Sequence, residues 1–247
     1  MTRSVFAVLA LCGMLWVSAA SATTVDLTLG SAGDGSINGA LFQWTSEQPT
    51  GTGVIQPFVR IQANGSEQGY NTDAVPVPFD GKPGLWTHSL LLSAVPVVNV
   101  GGTDYLQFLL DINQVGSQDN HYLTMNAFQI YLGATGAQDT TTVSELGTLI
   151  YDMGAGNKVE LDYNLNPGSG GGDMFAYVPT SLIIGENPFL YLYSAFGAPG
   201  YASNDGFEEW AVIGEPAPPP IPEPGTIMLL GIGFLSLAIY GKRRSNA

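Results

Sequence analysis

The chain has 247 residues, with 7 Lys and Arg against 21 Asp and Glu, a formal charge of −14, and only 11% charged residues. Its 32 Gly and 16 Pro beside 45% apolar residues exclude two classes. A coiled coil would need Ala, Glu, Lys and Leu in bulk, and a charged disordered chain would lack core-forming side chains. So few cations also exclude nucleic acid as a partner, because phosphates are held by Lys and Arg.

The first predicted element is a secretory signal over residues 1–22. Arg3 supplies the positive start, Val5 to Val17 is an almost unbroken apolar run, and Ala20-Ser21-Ala22 has the small-x-small form that signal peptidase accepts. The alternative is a buried N-terminal helix. A lipoprotein signal is rejected, because it needs a small residue before the cysteine and Leu11 precedes Cys12. Cleavage after Ala22 would remove Cys12, the one cysteine, and leave a chain without disulfide or thiol chemistry.

Residues 23–215 form one predicted passenger domain, without a charge block, linker or repeat to divide it. Strand-like alternation recurs through Val25–Leu29, Leu41–Trp44, Phe58–Gln62, Trp86–Leu92, Val95–Val100, Tyr105–Ile112 and Tyr122–Leu132. It continues through Leu146–Tyr151, Val159–Tyr163, Met174–Val178, Ser181–Ile184, Phe189–Phe196 and Phe207–Val212. Turn clusters such as Ser31–Gly35, Asp80–Gly84, Gly101-Gly102 and Gly168–Gly172 separate these runs. Ten to twelve short strands without βα alternation predict an all-β fold, an antiparallel two-sheet sandwich of jelly-roll type. Phe42, Trp44, Phe108, Phe128, Tyr131, Phe175, Tyr177, Tyr191, Tyr193 and Trp210 are the candidate core aromatics. Some must point outward, where they would either cover the sheet or stack on sugar rings.

Asp34, Ser36 and Asn38 stand in a D-x-S-x-N-G run that opens like a calcium loop. An EF-hand is excluded because its twelfth position is Thr45, not a bidentate Glu. Two readings remain for these residues: a calcium site on a sandwich loop, or an Asx-rich hairpin turn. A second oxygen-rich group is Asp111, Asn113, Asp119 and Asn120, with Asp111 and Asn113 on one strand face, and its plain reading is a solvated strand end. Glu208 and Glu209 are adjacent and must face opposite sides of a strand, so they make no acid–base pair with each other. Glu160 and Asp162 share a face and fit a solvated outer row. Neither His88 nor His121 belongs to a metal motif, and no G-x-S-x-G elbow is present. The expectation is therefore a non-enzyme, with calcium as the only cofactor for which donors are suggested.

The last elements are a Pro-rich linker over residues 216–221 and an apolar stretch over residues 225–241, followed by Lys242, Arg243 and Arg244. Seventeen apolar positions reach roughly 25 Å as a helix, the short limit for a membrane span. The basic cluster predicts that this end stays cytoplasmic while the body lies outside. Pro222-Glu223-Pro224, the apolar stretch and the basic stop together resemble the PEP-CTERM sorting domain of Gram-negative bacteria, over residues 222–247. That resemblance implies recognition by an exosortase, removal of the tail near the PEP motif, and delivery to the cell surface or extracellular matrix. Residues 202–210 also look like a closing stretch of some PEP-CTERM passengers. Three functions are expected: a structural or adhesive role linked to exopolysaccharide, a carbohydrate-binding, calcium-assisted lectin-like module, or a secreted glycan hydrolase. Without residues 1–22 and 223–247, three basic residues (Arg60, Lys82 and Lys158) face twenty acidic ones, a net charge of about −17.

Overall fold

A computed structural model describes residues 22–46, 55–114, 120–168 and 170–213. The signal up to Ser21, including Ala20, lies outside the described residues. So do the linker, the sorting motif, the predicted membrane helix and the basic stop. Ala22 is exposed at the start of the described chain. Among the described residues no helix is long and apolar enough to cross a membrane.

Fifteen strands and five short 3-10 turns make up the described body. In chain order the strands are β1 (Thr24–Asp26), β2 (Gly35–Ile37), β3 (Ala40–Trp44), β4 (Pro57–Ile61), β5 (Asn64–Tyr70), β6 (Leu90–Leu91), β7 (Val97–Val100) and β8 (Thr103–Ile112). They continue with β9 (Tyr122–Gly133), β10 (Thr148–Asp152), β11 (Lys158–Asp162), β12 (Met174–Pro179), β13 (Phe189–Gly197), β14 (Ser203–Asn204) and β15 (Glu208–Ala211). One sheet runs β1-β11-β9-β13-β5-β14, with β10 added to β9 and β6 to β13. The other runs β2-β3-β12-β8-β15-β4, with β7 added to β8.

Local chemistry explains the tight hairpins. Asn38-Gly39 and Gly101-Gly102 each sit between paired strands with φ of 50° and 87°, and 61° and 89°. Positive φ at both central residues is the two-residue turn whose twist matches antiparallel strands. The expectation of a purely antiparallel fold needs one correction: β1 pairs parallel with β11, Thr24 opposite Lys158. More than 130 residues of chain separate the two, so no short hairpin dictates their relative direction.

Three strand expectations also change: Val25–Leu29 is strand only as far as Asp26 and passes into a 3-10 segment over Leu27–Gly33. Ser181–Ile184 is mostly a 3-10 turn over Thr180–Leu182, and Trp86–Leu92 contributes only the two residues of β6. Conversely, β5 (NGSEQGY) has too little apolar alternation to be read as a strand, yet pairs with β13 from Ser66 to Tyr70.

The main core lies between the sheets. Phe42, Phe108, Phe128 and Trp210 are fully buried there with Val59, Leu110, Ile130 and Leu192. Phe128 meets Phe42 edge-on at 5.8 Å and Trp210 at 5.1 Å, and the Trp210 indole N–H donates to Ser194 Oγ at 3.0 Å. A register shift where β9 meets Ala195-Phe196 of β13 changes the alternation, so Met125 and Phe128 both reach this core. Tyr131, Tyr191 and Tyr193 instead join Tyr70 and Leu146 in a second cluster. Tyr70 donates to Thr140 O at 2.7 Å, and Tyr193 to Gln68 Oε1 at 2.6 Å. These tyrosines are buried packing residues and offer no face for a sugar ring.

Candidate functional site

The chemistry-bearing side chains converge on β4, β15 and β8, neighbours at one side of the second sheet. Glu208 and Glu209 do project to opposite faces of β15, as adjacent strand residues must. Register then gives each a partner that spacing along the chain cannot reveal. Glu209 stands opposite Arg60 on β4 and Asp111 on β8. Arg60 Nε donates to Glu209 Oε1, and its guanidinium lies 3.7 Å from the Trp86 ring centre and 4.7 Å from that of Phe207. Arg60 is thus held by one carboxylate and two aromatic faces.

Asp111 was expected at a solvated strand end; it is fully buried. Asn113 does lie within hydrogen-bonding reach of it, as same-face alternation requires, and Asp119 is outside the described residues. The glycine-rich loop closes over this spot. Gly170 N–H donates to Asp111 Oδ2 at 2.8 Å, while Oδ1 accepts no hydrogen bond among the described residues. Burial, with Glu209 nearby, pushes the Asp111 carboxyl up to about 7 despite the Gly170 bond and Arg60. Burial also raises Glu209, against the opposing pull of Arg60. Asp173 is buried just before β12, accepts from Ile112 N at 2.8 Å, and is pushed well above the usual carboxylate range by desolvation.

On the inner face of the same strand, Glu208 points between the sheets. Gln114 Nε2 donates to its Oε1 at 2.6 Å. From β5 of the opposite sheet comes Glu67, whose Oε2 accepts from Ala63 N at 2.7 Å. Glu67 and Glu208 lie within hydrogen-bonding reach of each other, and burial raises both carboxyls. Their remaining oxygens, Glu67 Oε1 and Glu208 Oε2, have no donor to accept from among the described residues.

The residues singled out as calcium donors lie elsewhere. Asp34 Oδ1 accepts from Trp44 N at 2.8 Å, Ser36 is exposed on β2, and Asn38 Nδ2 donates to the carbonyls of Asp152 and Met153 at 3.0 Å each. Asp34 therefore closes the base of the β2–β3 hairpin, and Asn38 ties its turn to the end of β10. Glu160 pairs with Lys158 at 2.5 Å and Asp162 with His121 at 2.5 Å on the outer face of β11, opposite Val159 and Leu161 in the core. His88 Nδ1 is 2.8 Å from Ser89 O. Among the described residues no group of three or more His, Cys, Asp or Glu side chains is placed to hold a metal ion.

The acidic group can hold a proton, since burial raises the Asp111 carboxyl to about 7 opposite the arginine-held Glu209. Both are closed to a substrate: Asp111 is 0% and Glu209 3% exposed. A more accessible feature lies at the edge of the first sheet. An open cleft of about 380 Å³ is lined by Asn126, Asn157, Lys158, Pro199 and Gly200. Beside it Tyr201, 42% exposed, stacks on Tyr122 at 4.9 Å, and Tyr122 on His121 at 3.9 Å.

Sequence reasoning named Asp111, Glu208 and Glu209 but not their partners Glu67, Gln114, Asp173 and Arg60. One available signal was the scarcity of cations, which leaves most carboxyls to pair with amides, with backbone N–H groups or with one another.

Sheets, acidic interior and C-terminal segment define an acidic β protein carrying a sorting tail. Residues 220–244 match the family described as the PEP-CTERM protein-sorting motif. This motif supports export and sorting by an exosortase. Comparison with curated proteins and with solved structures found no match.

Proposed function

We propose that the protein is a non-catalytic component of the cell surface or extracellular matrix of a Gram-negative bacterium, structural or adhesive in role and linked to exopolysaccharide. The sorting motif at residues 220–244 is the observation that carries this reading. Supporting it, the closely placed carboxyls Asp111 and Glu209 are buried, at 0% and 3% exposed. In this scheme signal peptidase cuts at Ala22, the apolar helix anchors the chain transiently, and exosortase releases the body near Pro222-Glu223-Pro224. The test is localisation of a chain lacking residues 222–247. Accumulation of that chain in the periplasm is expected; unchanged surface display would overturn the sorting step.

A second reading, a lectin-like module, is favoured by the cleft at Asn126 and Lys158 beside the half-exposed Tyr201. Amide and ammonium donors next to an aromatic face are the groups that bind sugar hydroxyls and stack on pyranose rings. Binding to a glycan array that is lost in Tyr201→Ala would support it. Sensitivity of that binding to calcium chelation would add the cation, and no binding with or without calcium would sink it.

A further inference from the structure

We propose that Glu67 and Glu208 hold a single shared proton between them, a carboxyl–carboxylate latch that joins the two sheets. The geometry is specific. Glu67 comes from β5 and Glu208 from β15, strands of different sheets, and the two are 2% and 0% exposed. Each has one oxygen satisfied, by Ala63 N–H and by the Gln114 amide. Each has one oxygen left without a donor, on side chains that reach each other. Two carboxylates cannot stay side by side in a dry interior, because like charges without water repel strongly. One proton supplies the missing donor, removes one charge and turns repulsion into a short hydrogen bond.

No neighbouring charge offers a substitute. The charged groups acting on Glu67 are Asp80, after β5, and Asp205, between β14 and β15; the one acting on Glu208 from β8 is Asp111. All three are acidic and favour retention of the proton. Arg60, on β4, is committed to Glu209 on the opposite face. Burial raises both carboxyls above their ordinary value, in keeping with a proton that stays at neutral pH.

The sign of the effect follows. The folded chain holds this proton where the unfolded chain has released it. The stabilisation is therefore complete below the ordinary glutamate range and is lost as pH rises through the raised value of the pair. The latch is closed in acid and opens in alkali.

The test uses the full-length chain in detergent, in an Asp111→Asn, Asp173→Asn background that removes the other strongly raised carboxyls of this region. Its Tm should fall between mildly acidic and alkaline pH, by about 3–5 °C for each pH unit over which the folded chain alone keeps the proton. Adding Glu67→Gln replaces the proton by a permanent N–H donor, so the fall should vanish and the alkaline Tm should exceed that of the parent. Glu208→Gln should act in the same sense. An infrared band of a protonated buried carboxyl should persist in the parent at neutral pH and shrink in Glu67→Gln. An unchanged slope in both glutamine variants, or failure of both to fold, overturns the latch. So does a rise in alkaline Tm on adding calcium that Glu67→Gln abolishes, since the pair would then hold a metal ion.

Discussion

Arg60 is one of three basic side chains between the signal and the sorting motif, and its partner Glu209 is 3% exposed. Truncating it leaves a buried carboxylate without a counter-charge, together with two aromatic faces without their cation. Arg60→Ala should therefore cost about 3 kcal/mol by urea unfolding. The double variant Arg60→Ala with Glu209→Ala should cost less than the two single losses combined, because it leaves no orphan charge. Asp111 makes a different prediction. Its carboxyl sits near 7 when folded, far above its ordinary value. It contributes stability that is complete in acid and lost as pH rises through about 7. Asp111→Asn keeps an acceptor for Gly170 N–H and should flatten the fall of Tm across that interval; an unchanged profile would show that the carboxyl is ionised throughout.

At the scale of the element, the β2–β3 hairpin shows what sequence could and could not reveal. Asn38-Gly39 between alternating residues was legible as a turn, because few residues tolerate positive φ in succession. Which groups of the chain Asp34 and Asn38 meet was not legible, because their partners, Trp44 N and the Asp152 and Met153 carbonyls, depend on the folded register. Gly39 has φ +87°, and an added Cβ would meet nothing closer than Pro179 Cγ at 4.0 Å. Gly39→Ala should thus cost about 1–2 kcal/mol through backbone strain alone, measured as a shift of the denaturant midpoint. β5 lay at the other extreme. Its polar residues carried no strand signal, so Glu67, which closes the interior against Glu208, was invisible until the sheets were paired. Core aromatics such as Phe128 and Trp210 were legible in kind, because large apolar side chains in alternating runs have few other places to go.

For the whole molecule, a body near −17 with its few cations largely engaged is compact against its own repulsion. Raising monovalent salt from about 10 mM to about 150 mM shortens the screening length from roughly 30 Å to 8 Å and should raise Tm. A loss of Tm over that range would mean that attractive pairs dominate the surface. Net charge and the paucity of cations were fully legible, as was the two-layer β class. The strand order was not, since it is set by contacts far apart in the chain: β15 enters between β8 and β4, and β1 joins β11.

That placement of β15 has a kinetic consequence. The last described strand fills an interior slot of its sheet, with Trp210 against Phe128 at the centre of the core. Until residues 208–211 are available, β4 and β8 have no strand between them to join them. Completion of the sandwich is therefore a late event, governed by contacts of long sequence separation and correspondingly slow. The segment that completes it ends only nine residues before residue 220, where the sorting motif begins. The closing strand and the sorting motif are thus near neighbours in the sequence, so the sandwich is complete only when almost all of the chain before the motif is available.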